Sequence, residues 1–110
     1  MSTHLYTTTY RGRQAQVLMG WDRPLQCHTL VVRYTDQVER PIYCHREDPK
    51  VSRYTDFLYY VRRLTTLGIK LPRTMLRELA LDALRNAGDR EVTYDPAGRI
   101  VSDVEHRHAA

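Results

Sequence analysis

Two Cys-His dipeptides, Cys27-His28 and Cys44-His45, are the residues of this chain whose types most directly suggest chemistry. Two thiolates and two imidazoles form a common ligand set for zinc. If the connection between the strands that carry them centres on Thr35-Asp36, Cys27 lies directly opposite Cys44 on one sheet face. That pairing makes a disulfide a second hypothesis for the same residues.

Strand geometry argues against the zinc hypothesis. Neighbouring residues of a strand point to opposite faces, so Cys27 and His28 cannot both point at one ion unless the strand ends or bulges there. The spacing also lacks the Cys-x-x-Cys turn that makes zinc motifs specific. We therefore expect two half-buried free thiols, no metal and no cofactor, with the zinc site and the disulfide left as alternatives.

Nucleophilic catalysis by either cysteine lacks sequence support. A thiolate with a histidine base needs an orienting acid, and the nearby acids are Asp22, Glu47 and Asp48. Neither cysteine lies in a known nucleophile signature, no serine lies in a nucleophile elbow, and no Gly-rich phosphate loop is present. We therefore expect no catalytic residue and a protein that is not an enzyme. A small metal- or thiol-dependent protein stays an alternative.

The segment Trp21-Asp22-Arg23-Pro24 has two interpretations. In the structural one, the Asp22 carboxylate accepts turn amides and Trp21 covers one end of a thin core. In the functional one, Trp21 and Arg23 form a protein-binding hot spot on a protruding turn. Both interpretations fit the residue types.

Basic and aromatic side chains also lie outside the apolar stripe of the first predicted helix. Tyr59 and Tyr60 with Arg62 and Arg63 form either a solvated face or a surface that docks on an acidic or aromatic partner, or on phosphates. On the second helix, acidic residues alternate with the arginines, which weakens a nucleic-acid interpretation. Those residues are Arg73, Arg77 and Arg85, with Glu78, Asp82 and Asp89 between or after them.

The composition is moderately basic. Seventeen basic and 13 acidic residues give a net charge of +4, and Lys50 and Lys70 are the sole lysines. Arginine together with eight tyrosines is typical of protein interfaces, although it also suits nucleic acid or reflects a GC-rich genome. We expect another protein as the partner, with nucleic acid as the alternative.

The order of elements predicts an α+β fold. Strands are expected over 5–10, 14–19, 27–34 and 40–44, and a helix capped by Thr55 ends at Gly68. A second helix follows from Leu71-Pro72 to Gly88, before short strands at 91–94 and 99–101. We predict an antiparallel meander of about four strands, two helices packed on one face, and a short C-terminal strand or hairpin. Candidates for the other face are Tyr6, Thr8, Tyr10, His28 and Tyr43.

The chain is long enough for one domain with a thin core. We assign this domain to residues 1–102 and a flexible tail to residues 103–110. No secretion signal and no run of about 18 apolar residues is present, so we expect a soluble, cytoplasmic protein without a membrane partner. Homodimerisation through a sheet edge or the second face stays open.

The block Gly20-Trp21-Asp22-Arg23-Pro24-Leu25-Gln26 resembles one in small proteobacterial proteins that also follows a first hairpin. The likeness extends over Tyr43 to Asn86, with the helix connection Leu67-Gly68-Ile69-Lys70-Leu71-Pro72. These are chiefly uncharacterised products, so the resemblance implies no particular activity. The chain also looks like the QslA type of antiactivator, which implies binding a quorum-sensing transcription factor of the LasR kind and blocking its dimer. No functional residue is carried over from either resemblance.

Together these observations predict a non-enzymatic protein-binding module. We expect a regulator or inhibitor of another bacterial protein, antiactivator-like, that acts by occluding a surface, and a transcriptional regulator is one candidate partner. The predicted partner-binding residues are Trp21, Arg23, Tyr59, Arg62 and Arg63.

Overall fold

The computed structural model describes residues 1–37 and 39–106. They form six strands and two α-helices, and a short 3-10 helix, His45–Glu47, follows the fourth strand. Neither α-helix is long and apolar enough to cross a membrane. The strands are β1 (Ser2–Tyr10), β2 (Arg13–Asp22), β3 (Cys27–Tyr34), β4 (Tyr43–Cys44), β5 (Arg90–Tyr94) and β6 (Ile100–Glu105), and the helices are α1 (Phe57–Thr66) and α2 (Arg73–Arg85).

All six strands belong to one sheet in the order β4-β3-β2-β1-β5-β6. Every neighbouring pair is antiparallel except β1 and β5, which run parallel. The chain reaches β5 through both helices, as a parallel connection requires. The predicted α+β fold, with a meander followed by two helices and a C-terminal hairpin, is confirmed.

The core lies between one sheet face and the helices. Alternate residues of β2 point toward the helices, so Val17 and Met19 are buried while Gln16 and Leu18 are only half-buried. Their cross-strand partners on β3, Val32 and Leu30, are buried as well. The helices add their own buried side chains to this layer: Tyr60, Leu64, Met75 and Leu79.

Capping fixes the start of α1 one residue later than predicted. The Asp56 carboxylate accepts a hydrogen bond of 2.9 Å from the Tyr59 amide, so Asp56, and not Thr55, is the N-cap. An acidic cap also interacts favourably with the partial positive charge of the helix start. Gly68, with φ +77°, follows the helix as predicted, because glycine adopts this left-handed conformation without a steric cost.

Strand β2 continues to Asp22, beyond its predicted end at Met19. Gly20 is therefore a strand residue, and its φ is not left-handed. Its glycine is required for another reason, because a Cβ at this position would clash with the Ser2 carbonyl of β1. Close approach of two backbones explains this glycine, where the sequence had suggested a turn.

The prediction for the second sheet face is wrong. Tyr6, Tyr10 and Tyr43 pack against the core on the helix side, and so does His28. Thr8 shares that side, since it pairs with buried Ala15. The sequence did not determine the relative orientation of the strands. The observed register places these five side chains on the sheet face opposite to the predicted one. The face without helices instead carries a half-buried row across β1, β2 and β3: Leu5, Leu18 and Val31.

Both ends of the sheet differ from expectation. β4 has only two residues, Tyr43–Cys44, whereas a strand over 40–44 was predicted. β6 continues to Glu105, so residues 103–105 are paired with β5 and do not belong to a tail. Asp103 explains this, because its carboxylate accepts two hydrogen bonds from Arg90 of β5. The His106 amide that follows donates a hydrogen bond of 2.9 Å to the Asp89 carbonyl, and residues 107–110 lie outside the described residues.

Candidate functional site

The two cysteines lie apart. Cys44 pairs with Val31 of β3, whereas Cys27 pairs with Asp22 of β2. Val31 and Cys27 are four residues apart, which is about 13 Å along a strand and exceeds the reach of a disulfide. The predicted Cys27–Cys44 pairing is therefore wrong, because the chain returns to β3 only after a long connection. Both thiols are free and half-buried.

The neighbouring histidines point elsewhere. His28 Nε2 lies 3.3 Å from the Leu79 carbonyl oxygen beneath α2, and His45 Nδ1 lies 3.1 Å from the Leu30 carbonyl oxygen. Burial raises the pKa of Cys27, and Asp22 raises it further, so this thiol is a poor nucleophile at neutral pH. Within residues 1–37 and 39–106, no group of three or more His, Cys, Asp or Glu side chains could hold a metal ion.

A second group of reactive residue types lies beneath α2. His4 joins two partners: its Nδ1 lies 2.8 Å from the Tyr94 hydroxyl, and its Nε2 lies 2.6 Å from an Asp82 carboxylate oxygen. The other Asp82 oxygen accepts a hydrogen bond of 2.7 Å from Arg90. We call Ser2, His4, Asp82, Arg90 and Tyr94 the sealed polar centre.

Arg90 extends this network to the surface. Its guanidinium also donates to Glu78 and Asp103, at distances of 2.7 to 2.9 Å. These bonds raise the pKa of Arg90, so the side chain keeps its charge despite its burial. Every buried side-chain nitrogen and oxygen in the described part of the chain has a hydrogen-bond partner. Each buried polar side chain of the centre therefore has a hydrogen-bond partner.

Asp82 is the acid of the sealed polar centre. Burial tends to raise its pKa, but hydrogen bonds from His4, Ser2 and Arg90 outweigh that effect and hold the pKa well below its usual range. Asp82 and His4 are both 0% exposed. Neither side chain is accessible to solvent in this structure, and both form hydrogen bonds within the fold. In the sequence, Asp82 comes three residues after Leu79, so both lie on the same face of the helix. This spacing is the sequence feature that could have indicated the burial of Asp82.

The turn after β2 contains two predicted contact residues. Trp21 is only 9% exposed, and its indole N–H donates to the Asn86 side chain at the end of α2. The Asp22 carboxylate accepts the Leu25 amide of the turn, as the structural interpretation predicts. Arg23 is exposed and lies near Gly88. Partner binding by Trp21 and Arg23 stays a prediction, and little of Trp21 is available for it.

Tyr59 and Arg63 lie together beside β4. The hydroxyls of Tyr59 and Tyr43 donate to the same Asp48 oxygen, at 2.7 and 2.8 Å, and Arg63 Nε lies 3.9 Å from it. The two hydrogen bonds lower the pKa of Asp48. These contacts attach α1 to the loop after β4. The Tyr59 hydroxyl and the Arg63 guanidinium therefore both have a partner, Asp48, within the fold.

The acidic residues of α2 are turned inward. Glu78 and Asp82 bind Arg90, and Met75, Leu79 and Asp82 form the buried stripe of the helix. The sequence interpretation, in which these carboxylates dilute the basic surface of α2, is wrong for these two residues. Arg73 and Arg77 stay exposed, one helical turn apart on one face.

A groove of about 490 Å³ lies between α1 and the start of α2. Its floor and walls are mainly aliphatic, and among the described residues no aromatic ring lines it. We call it the interhelix groove. It is lined by Val61, Leu64, Thr65, Gly68, Ile69, Lys70, Leu71, Arg73 and Leu76.

Four cations lie in or near the segments that form this groove. Lys70 and Arg73 line it, Arg77 lies one helical turn after Arg73 on α2, and Arg62 follows the lining residue Val61 on α1. All four are exposed, and none forms an ion pair with a carboxylate of residues 1–37 or 39–106. None of the five predicted contact residues lines the groove, although Arg62 and Arg63 are next in sequence to its lining residues Val61 and Leu64. The groove itself was not predicted.

Comparison with known protein families, with characterised proteins and with solved structures finds no match to the chain. The resemblances to small proteobacterial proteins and to QslA-type antiactivators therefore stay predictions.

Proposed function

We propose that this chain is a non-enzymatic protein-binding module whose contact surface is the interhelix groove. One observation supports this most strongly: two exposed cations line an aliphatic groove, two more lie on the helices that bound it, and none of the four has an ion-pair partner among residues 1–37 and 39–106. Apolar contacts supply affinity in protein interfaces, and charges around them supply orientation and specificity. The surface has both features.

The reactive residue types give no comparable support for an enzyme. The sealed polar centre has no exposed His4 or Asp82 atom, and the two Cys-His dipeptides do not converge. A catalytic group must lie within hydrogen-bond reach of a bound substrate. We therefore keep binding, and not catalysis, as the proposed activity.

The biological role that we propose is that of a regulator or inhibitor of another bacterial protein. A small domain that covers a partner surface can block whatever that surface normally binds. Such occlusion is also what the resemblance to QslA-type antiactivators implies, with a transcriptional regulator as the partner. Homodimerisation is compatible with this role.

Nucleic acid is the alternative occupant of a basic surface. The four cations could meet phosphates, since the α2 carboxylates that would repel them are turned inward. Recognition of single strands, however, relies on aromatic rings on which bases stack, and in the part of the chain that the structure describes no aromatic side chain lines the groove. This absence favours a protein partner.

Site-specific photo-cross-linking tests the proposal. Thr65 and Thr66 are adjacent, exposed threonines that each donate a hydrogen bond to a carbonyl one helical turn earlier, but only Thr65 lines the groove. A photoreactive phenylalanine analogue at position 65 is expected to cross-link a discrete protein in bacterial cells. The same analogue at position 66 is the matched control and should give a much weaker product.

Two outcomes would count against the proposal. Equal cross-linking from both positions would mean that the groove is not the contact surface. Cross-linking of nucleic acid and no protein from position 65 would favour the alternative occupant.

A further inference from the structure

We propose that the interhelix groove receives an acidic amphipathic helix of the partner protein. This inference rests on the proposed function and names the chemistry of the segment that binds. It is carried by three features of the groove: its apolar strip, its uncompensated positive charge, and the secondary structure of its walls.

The apolar strip fits side chains repeated along a helix. Leu64, Ile69 and Leu71 are nearly buried at the base of the groove, with Val61 and Leu76 beside them. Leu58 lies one turn before Val61 on α1 and is 56% exposed, so it continues the strip along the helix axis. An amphipathic helix presents apolar residues three and four positions apart and can contact such a strip over successive turns.

The charge of the groove favours carboxylates on the occupant. Helix α2 has no acidic residue in its first turn and no side-chain cap, and Arg73 is its first residue. Lys70 and Arg73 therefore add positive charge where the helix start already carries a partial positive charge. A nearby carboxylate is that of Asp95, in the turn whose Gly98 contacts Pro72. The Asp95 carboxylate already accepts hydrogen bonds from Arg99. Glutamate or aspartate from a partner would balance these cations.

The walls of the groove favour a helix over an extended strand. A strand that joins another protein needs free backbone N–H and C=O groups along an edge. The groove is bounded by α1 and the start of α2, and a helix presents no continuous edge of free N–H and C=O groups, because its interior backbone groups bond within the helix. A helical segment satisfies its own backbone hydrogen bonds, so it can occupy the groove through side chains alone.

Nuclear magnetic resonance titration with synthetic peptides tests the inference. The first peptide is a helix of about 18 residues with leucines three and four apart and glutamates on the flanks. The second has lysine at every glutamate position, and the third has the composition of the first with the leucine order scrambled. We expect the first peptide to shift the amide signals of Thr65, Leu71 and Leu76. The other two should bind at least about tenfold more weakly.

Matched variants assign the binding to the groove. Arg73→Glu with Arg77→Glu should weaken binding of the acidic peptide by about tenfold or more. Arg40→Glu with Lys50→Glu changes the net charge equally at exposed positions outside the groove and should leave binding close to that of the unmodified protein. Heteronuclear correlation spectra establish that both variants are folded.

Several results would overturn the inference. These are equal binding of the lysine or scrambled peptide, no shifts at the groove with the acidic peptide, or competition at the groove by anionic vesicles or duplex DNA. If cross-linking from position 65 still captures a protein, only the acidic-helix inference fails. If it captures none, the proposed function fails as well.

Discussion

Helix α2 borders two polar regions of opposite character. In the sealed polar centre, Asp82 and Arg90 are buried and each has several hydrogen-bond partners. At the interhelix groove, Lys70 and Arg73 are exposed, and neither has an ion-pair partner within residues 1–37 or 39–106. Residue types alone would place the chemistry in the first region. Because of their surroundings, we interpret the first region as structural and propose the second as a recognition surface.

The difference teaches that a charged residue should be judged by its partners. A buried charge is tolerated only when it is paired and hydrogen-bonded, so a complete network indicates a structural role. An exposed cation at a helix start lowers stability slightly, because the helix start carries a partial positive charge. Without an ion-pair partner, no contact within the fold compensates for this loss. Arg73 is such a residue, which makes a role in binding the simpler explanation for it.

The largest effect is expected from Asp82→Asn, which removes the charge at the centre of the sealed network. The free energy of unfolding should fall by about 3 to 5 kcal/mol, because Arg90 and His4 lose a buried charged partner. Urea denaturation measures this loss. Asp36→Asn is the control, since its ion pair with Arg13 is exposed, and it should cost less than about 0.5 kcal/mol. A loss below about 1 kcal/mol for Asp82→Asn would contradict the account.

Tyr94→Phe should have the next largest effect. It removes the hydroxyl that lies 2.8 Å from His4 Nδ1 and leaves a buried nitrogen without that partner. Such a loss costs about 1 to 3 kcal/mol, measured by chemical denaturation. Tyr54→Phe, at an exposed site, is the control and should be nearly neutral. Equal stabilities of the two variants would show that the His4–Tyr94 contact contributes little.

Acidification should destabilise the protein in two stages. Burial lowers the pKa of His28, more than its hydrogen bond to the Leu79 carbonyl raises it, so the unfolded chain takes up this proton first. Stability should therefore begin to fall below about pH 6.5. The lowered pKa of Asp82 adds a second loss below about pH 4, when the unfolded carboxylate is protonated.

Unfolding free energies measured between pH 7 and pH 3 test this pH dependence. Asp82→Asn should reduce the second stage, to which Asp48 and Asp103 with their lowered pKa values also contribute, and should leave the first in place. Stability that rises on acidification from pH 6.5 would contradict the assigned pKa directions.

The smallest effect on stability is expected at the groove, and it has the opposite sign. Arg73→Glu places an acid in the first turn of α2, which should raise the free energy of unfolding by about 0.3 to 1 kcal/mol. Arg85→Glu in the last turn of the same helix is the comparison variant and should lower it, because a cation is favourable there and Arg85 also lies 3.4 Å from an Asp82 carboxylate oxygen. Thermal denaturation at low salt compares the two variants. Destabilisation by Arg73→Glu would mean that Arg73 has a structural role.

Much of the fold could be predicted from local patterns. The bounds of β3, the position of Gly68 and the packing of both helices on one sheet face follow from periodicity and capping residues. These features depend on residues close in sequence. Register does not, which is why the pairing of Cys27 with Cys44 and the assignment of sheet faces were wrong.

The candidate site could be predicted only in part. Asp82 looked like one of several surface charges, since its partners His4 and Arg90 come from strands distant in sequence or beyond the helix. Once Asp82 is buried, the exposed side of α2 becomes more basic than its sequence suggests. Arg62 was predicted as a contact residue, whereas the groove beside it depends on how two helices pack.

The most direct test combines the groove cross-link with the charge reversal. The photoreactive analogue at position 65 is compared in the otherwise unmodified protein and in Arg73→Glu with Arg77→Glu, both folded. The account predicts that the cross-linked protein is lost in the double variant while the free energy of unfolding stays equal or rises. An undiminished cross-link in the stable double variant would contradict it.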